Sequence, residues 1–107
     1  MINLQYLGFP SYDITECGKV WSRHSNRYLT MSISIQHHDK YGKYMLSQNG
    51  KRRFITAHRL VAFSYLEKPY GKDYVNHIDG DIHNNHVSNL EWVTALENNM
   101  HSIKHVK

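Results

Sequence analysis

Tyr74-Val75-Asn76-His77-Ile78-Asp79-Gly80-Asp81-Ile82-His83-Asn84-Asn85-His86-Val87-Ser88-Asn89-Leu90-Glu91-Trp92-Val93-Thr94 is the stretch that decides how this chain is read. Val75-Asn76-His77 is one short strand and Leu90-Glu91-Trp92-Val93 its partner, since β-branched and aromatic residues suit a pleated, half-buried surface. Asp79-Gly80-Asp81 supplies turn chemistry between them, because Asp bonds nearby backbone and Gly accepts positive φ. Thr94-Ala95-Leu96-Glu97 has the Thr-x-x-Glu form of a capping box, with Thr94 as N-cap of a helix. The expectation is a β-β-α unit. It is too small to be a core by itself, so Leu66, Leu90, Trp92 and Leu96 are expected to tie it to the preceding element.

Working upstream, Ala57 to Leu66 places Leu60, Val61, Phe63 and Leu66 near one face at helical spacing, and Pro69 ends the helix. Before it the period is that of strands. Tyr12-Asp13-Ile14-Thr15, Lys19-Val20-Trp21-Ser22 and Met31-Ser32-Ile33-Ser34-Ile35 are short β-prone runs. Tyr44 to Ser47 and Arg53 to Ile55 flank Asn49-Gly50, the strongest short-range signal for a hairpin. The fold class expected is α+β: an N-terminal antiparallel β half, residues 1–56, then a helix and a β-β-α unit in residues 57–107.

Composition narrows the function. The chain has 107 residues, 13 Lys+Arg and 9 Asp+Glu, a formal charge of +4. Residues 1–56 carry a net +5 and residues 57–107 a net −1, so a polyanion contact is expected in the first half. A run of about 18 apolar residues is absent, so no transmembrane helix is expected. The N-terminus shows no basic region leading into an apolar stretch. The single cysteine, Cys17, can make no internal disulfide and excludes zinc sites of four cysteines or of two cysteines and two histidines. The reading is an intracellular protein, and any bound metal has nitrogen and oxygen ligands. Asp79 and Asp81 do not form a calcium loop, because Gly80 stands between them and no Glu follows at the twelfth position.

Val75-Asn76-His77-Ile78-Asp79-Gly80, Asn84-Asn85, Asn89 to Thr94 and Glu97-Asn98 together resemble an HNH endonuclease of the homing-endonuclease type, with its β-β-α-metal fold. The likeness extends upstream. Pro10 to Ile14 and Gly18 to Ser22 resemble the N-terminal modular domain often attached to these nucleases, and Gly50-Lys51-Arg52 and His58 to Ala62 also sit as in that family. It covers about residues 9 to 101.

The resemblance implies roles. His77 is the general base; a single histidine among nine is ordinarily a surface residue, and only its motif position singles it out. An unperturbed imidazole titrates near 6.5, so it can accept a proton at neutral pH. Asn89 fixes the loop and the base, while Asn76 and Asn98 hold one divalent cation. Oxygen ligands and few of them suit Mg²⁺ or Mn²⁺. Many family members carry Asp or His before the base; Asn76 is neutral, so weak metal binding without DNA is expected. His101, one helical turn beyond Asn98, is a further candidate for metal or phosphate, and His83 and His86 for DNA.

Arg23, Arg27, Lys43, Lys51, Arg52 and Arg53 are the candidates for DNA phosphates, contacts that position a protein without reading sequence. The partner implied is double-stranded DNA, with no membrane, the oligomeric state a monomer or weak homodimer, and the location the cytoplasm, of a host cell if phage-encoded. One active site per chain nicks one strand, and products carry 5′-phosphate and 3′-hydroxyl ends as the family implies. Resembling enzymes often continue into a DNA-reading C-terminal domain; this sequence ends at Lys107, so it either has low specificity or is a fragment. The competing class is a catalytically inactive HNH-fold nucleic-acid-binding module, separated from the nuclease by Asn76 in place of an acidic ligand.

Overall fold

Asn49 and Gly50 both hold positive φ, 53° and 77°, and between them turn β5 (Lys43–Gln48) into β6 (Lys51–Thr56). The pairing runs in register from Gln48↔Lys51 to Lys43↔Thr56, as the Asn-Gly pair requires of a two-residue loop. No atom lies within 4 Å of a Cβ built on Gly50. Gly50→Ala is therefore expected to cost only the left-handed backbone, about 1 kcal/mol. The urea midpoint measures it, and an unchanged midpoint would contradict the turn assignment.

The computed structural model describes residues 1–33 and 41–99. Ahead of the ribbon, β1 (Ile2–Leu4), β2 (Phe9–Ile14), β3 (Val20–Ser22) and β4 (Arg27–Tyr28) form an antiparallel sheet in sequence order. Of the run expected at 31–35, Ser32 makes one bridge to Lys43, and residues 34–35 lie outside the described residues. After β6 the chain enters α1 (Ala57–Tyr65). A second ribbon pairs β7 (Tyr74–His77) with β8 (Leu90–Val93), Asn76 opposite Glu91 and His77 opposite Leu90. Residues 95–99 are helical. The capping box forms: the Thr94 amide donates to Glu97 Oε1 (3.0 Å) and the Glu97 amide to Thr94 Oγ1 (3.1 Å). The chain is α+β.

One core joins all these pieces. Leu4, Ile14, Val20 and Leu46 from the strands of residues 1–56 meet Leu60 and Val61 of α1 and Leu90 of β8. On α1, Leu60, Val61 and Ala62 are fully buried. Trp92 fastens β8 to this helix: its indole N–H donates to the Ala62 carbonyl (3.4 Å) and its ring meets Phe63 edge-on at 4.9 Å. Phe63 itself is half-buried, with the Arg59 guanidinium over its ring. Leu96 does not join this contact; it is 70% exposed, because the position two after the N-cap turns away from α1 while Leu90 and Trp92 make the seal. Among the described residues no helix is long and apolar enough to cross a membrane.

Candidate active site

The loop between β7 and β8 is built by Asx chemistry. Asp79 Oδ1 accepts from the Asp81 amide (2.8 Å), and Asp81 Oδ1 accepts from the His83 amide (3.0 Å). Asn89 closes the loop across its base. Its Oδ1 accepts from the Asp79 amide (3.1 Å), and its Nδ2 donates to Asp79 Oδ1 (2.9 Å) and the Asn84 carbonyl (3.0 Å). The Ile78 amide donates to the Asn89 carbonyl at 2.8 Å. These bonds tie Asn89, the residue expected to fix the loop and the base, to Asp79 and Asn84.

Donation from the Asp81 amide, then from the Asn84 and Asn89 side chains, holds the Asp79 carboxyl below the usual carboxylate range. A carboxyl with a lowered folded pKa stabilises the fold above its unfolded pKa and loses that contribution as pH falls through the folded value. Asp79→Asn is thus expected to be less stable than wild type at pH 7, and the gap should narrow as pH drops below about 4. Urea midpoints along an acid series measure it; a gap constant with pH would contradict the bonding described.

His77 ends β7 and is 5% exposed. Its Nε2 lies 2.9 Å from Asn85 Oδ1, and Asn85 is buried too. Its ring stacks with Tyr41 (centroids 5.8 Å, planes 12° apart) and meets His58 at 4.9 Å. Asn76, buried beside it in sequence, donates from Nδ2 to Glu91 Oε1 (3.1 Å) across the ribbon. Asn98 is half-buried on residues 95–99, its amide donating to the Thr94 carbonyl (2.9 Å). His86 is exposed and caps the 3-10 turn Val87–Asn89, its Nδ1 accepting from the Ser88 amide (3.1 Å). His83 is exposed, and His101 lies outside the described residues. The structure thus joins His77 to Asn85, and Asn89 to Asp79 and Asn84. Asn85, Glu91 and Tyr41 have no role in the sequence reading, and the only signal for the first is its place in the Asn84-Asn85 pair; His58, expected as a buried residue opening the helix, is buried in α1.

The expected ligands Asn76 and Asn98 carry amide oxygens, the ligand type that suits a hard cation. Asn76 Nδ2 donates to Glu91, which sets its amide oxygen and a carboxylate side by side on the ribbon. Among the described residues no group of three or more His, Cys, Asp or Glu could hold a metal. A few oxygen ligands supplemented by substrate phosphate are the pattern of Mg²⁺ sites.

Of the basic candidates, Arg27, Lys51, Arg52 and Arg53 are exposed. Lys43 lies over the Phe54 ring at 5.3 Å. Arg23 pairs with Asp13 through Nε (3.0 Å), with 59% of its side chain still exposed. A polar groove between the sheet and the hairpin tip is lined by Ser11, Ser22, His24, Ser47 and Arg52.

A histidine closing one strand of a two-stranded ribbon, an asparagine bonded across the loop, and a capped helix carrying a second asparagine follow the β-β-α order expected of an HNH unit. The family model for HNH endonucleases matches residues 56–100. The chain is 43% identical over 94 residues to an HNH endonuclease of Acanthamoeba polyphaga mimivirus, covering 88% of this chain and 28% of that protein. It is 35% identical over 92 residues to the DNA endonuclease I-HmuI of Bacillus phage SP01, covering 83% of this chain and 51% of the phage protein. The solved structure of the HNH homing endonuclease I-HmuI, described as showing DNA binding and cleavage, superposes with a TM-score of 0.81 at 32% identity, over 94% of this chain and 57% of that one. The chain belongs to the HNH endonuclease family, homing-endonuclease type, and spans about a quarter to half the length of these curated relatives.

Proposed function

We propose that this chain is the catalytic region of a metal-dependent DNA endonuclease that hydrolyses phosphodiester bonds of duplex DNA and nicks one strand per site. The observation that carries the reading is the placement of His77: buried at the end of β7, next to Asn76 and above a loop locked by Asn89. In this reading His77 takes a proton from water as the water oxygen attacks phosphorus. The bond from phosphorus to the 3′ oxygen breaks, leaving a 5′-phosphate, and the 3′ oxygen is protonated from solvent. Asn76 and Asn98 hold a divalent cation, Mg²⁺ or Mn²⁺, which when bound stabilises charge on the scissile phosphate. Asn89 keeps the loop, and through it the base, in place.

Arg23, Arg27, Lys43, Lys51, Arg52 and Arg53 meet DNA phosphates in this reading, along the sheet and the β5–β6 ribbon. With roughly four to six phosphate contacts, log K is expected to fall against log salt with a slope of about −4 to −5. Replacing Lys51, Arg52 and Arg53 together by Gln should bring the slope about 2 to 3 units nearer zero. A flat salt dependence in wild type would overturn the contact assignment. One site per chain supports a monomer or weak homodimer, and the viral, phage and prophage origin of the relatives supports action in a host cytoplasm.

Supercoiled plasmid incubated with Mg²⁺, Mn²⁺ or EDTA tests the activity. Conversion to nicked circles with metal and none with EDTA is expected. A neutral Asn76 favours a second reading, a DNA-binding module without cleavage. A mobility shift on duplex DNA with no nicking in either metal would establish that instead, and would make Asn76→Asp the variant to prepare.

A further inference from the structure

A neutral imidazole carries its proton on one nitrogen and its lone pair on the other, and only the lone pair acts as a base. An amide oxygen accepts and never donates. Asn85 Oδ1 lies 2.9 Å from His77 Nε2 with both side chains buried. With this pairing a neutral His77 ring donates from Nε2 to Asn85 Oδ1 only in the Nε2–H tautomer, the form that leaves Nδ1 as the basic atom.

Asn85 is in turn held from the N-terminal half of the chain. Gly18 has φ +88°, and a Cβ there would stand 2.9 Å from Asn85 Cβ, so the turn touches Asn85 at the closest approach a glycine allows. That turn is tied on both sides. The Val87 amide donates to the Glu16 carbonyl (2.8 Å), and the buried Tyr44 hydroxyl donates to the Gly18 carbonyl (2.8 Å). Its own closure comes from the Gly18 amide on the Thr15 carbonyl (3.1 Å) and the Thr15 amide on the Lys19 carbonyl (2.8 Å).

We propose that Asn85 is a positioning residue that sets the tautomer of His77, and that the Glu16–Gly18 turn clamps Asn85 in place. The N-terminal sheet then serves catalysis through this turn, separately from any contact with DNA. The proposal rests on the reading of His77 as the base.

Long-range proton–nitrogen spectra of the ¹⁵N-labelled chain at alkaline pH read the tautomer directly. Wild type and Asn85→Asp, which keeps an acceptor, are expected in the Nε2–H form. Asn85→Ala is expected to show a mixture, and Gly18→Ala to move toward it. Metal-dependent nicking should fall about 100-fold in Asn85→Ala and about 10-fold in Gly18→Ala, and recover to within about 10-fold of wild type in Asn85→Asp. An Nδ1–H form in wild type would overturn the proposal, and that spectrum decides it even where the alanine variant does not fold. So would a tautomer and rate indifferent to Asn85→Ala. If His77→Ala nicks like wild type, the base assignment fails instead, and the spectra still report whether Asn85 sets the tautomer.

Discussion

His77→Ala is expected to lose about 1000-fold in single-turnover nicking rate with saturating Mn²⁺, the range a positioned general base contributes. DNA affinity should change little, because the basic candidates lie on β4 to β6 and in the turn after β3, and none is on β7. Stability is a separate matter. His77 is buried and bonded to Asn85, so truncation opens space between Tyr41, His58 and Asn85. A loss of about 1 to 3 kcal/mol is expected from the orphaned Asn85 oxygen and the missing ring. Nicking rates and melting curves on the same preparation separate the two effects. A variant that is folded, binds DNA and still nicks within tenfold of wild type would contradict the assignment of His77.

The second large effect is expected at Asn89. Asn89→Ala removes three hydrogen bonds at once, to the Asp79 amide, the Asp79 carboxylate and the Asn84 carbonyl. At about 1 kcal/mol each, the loss is about 3 kcal/mol, a large share of the stability of an ordinary domain. The melting temperature should fall by more than about 10 °C. Nicking should fall by about 100-fold or more even well below that temperature, because the freed loop carries Asn85, the hydrogen-bond partner of the proposed base His77. Calorimetry with nicking assays at low temperature checks both parts. Wild-type activity in a destabilised Asn89→Ala would mean that the loop's lock serves the fold alone.

What could be read from the sequence was local. Asn49-Gly50 specifies its own positive φ values, Thr94 and Glu97 their own reciprocal bonds, and the apolar spacing of Leu60 and Val61 the buried face of α1. Asn89 stands out in the sequence by its motif position, and in the fold it makes three side-chain bonds within the loop. What escaped depends on partners far away in the chain. The three-residue β1 stands because the Asn3 side chain donates to the Pro10 and Tyr12 carbonyls and to Asp13 Oδ1, contacts that no periodicity announces. Asn85 reads as one more turn residue until folding brings its oxygen to His77 and its Cβ against Gly18. Leu96 reads as core by type and is exposed by geometry. Arg23 reads as a phosphate contact, and the fold adds a pairing of its Nε with Asp13 on β2 that the sequence does not announce.

The most direct test of the account is one gel series on one supercoiled plasmid. Wild type and His77→Ala are each titrated with Mn²⁺ and with EDTA, and a mobility shift on the same DNA is run beside them. The account predicts that both proteins shift the DNA, that only wild type produces nicked circles, and that EDTA abolishes them. Nicking by His77→Ala at the wild-type rate, or by wild type in EDTA, would contradict it.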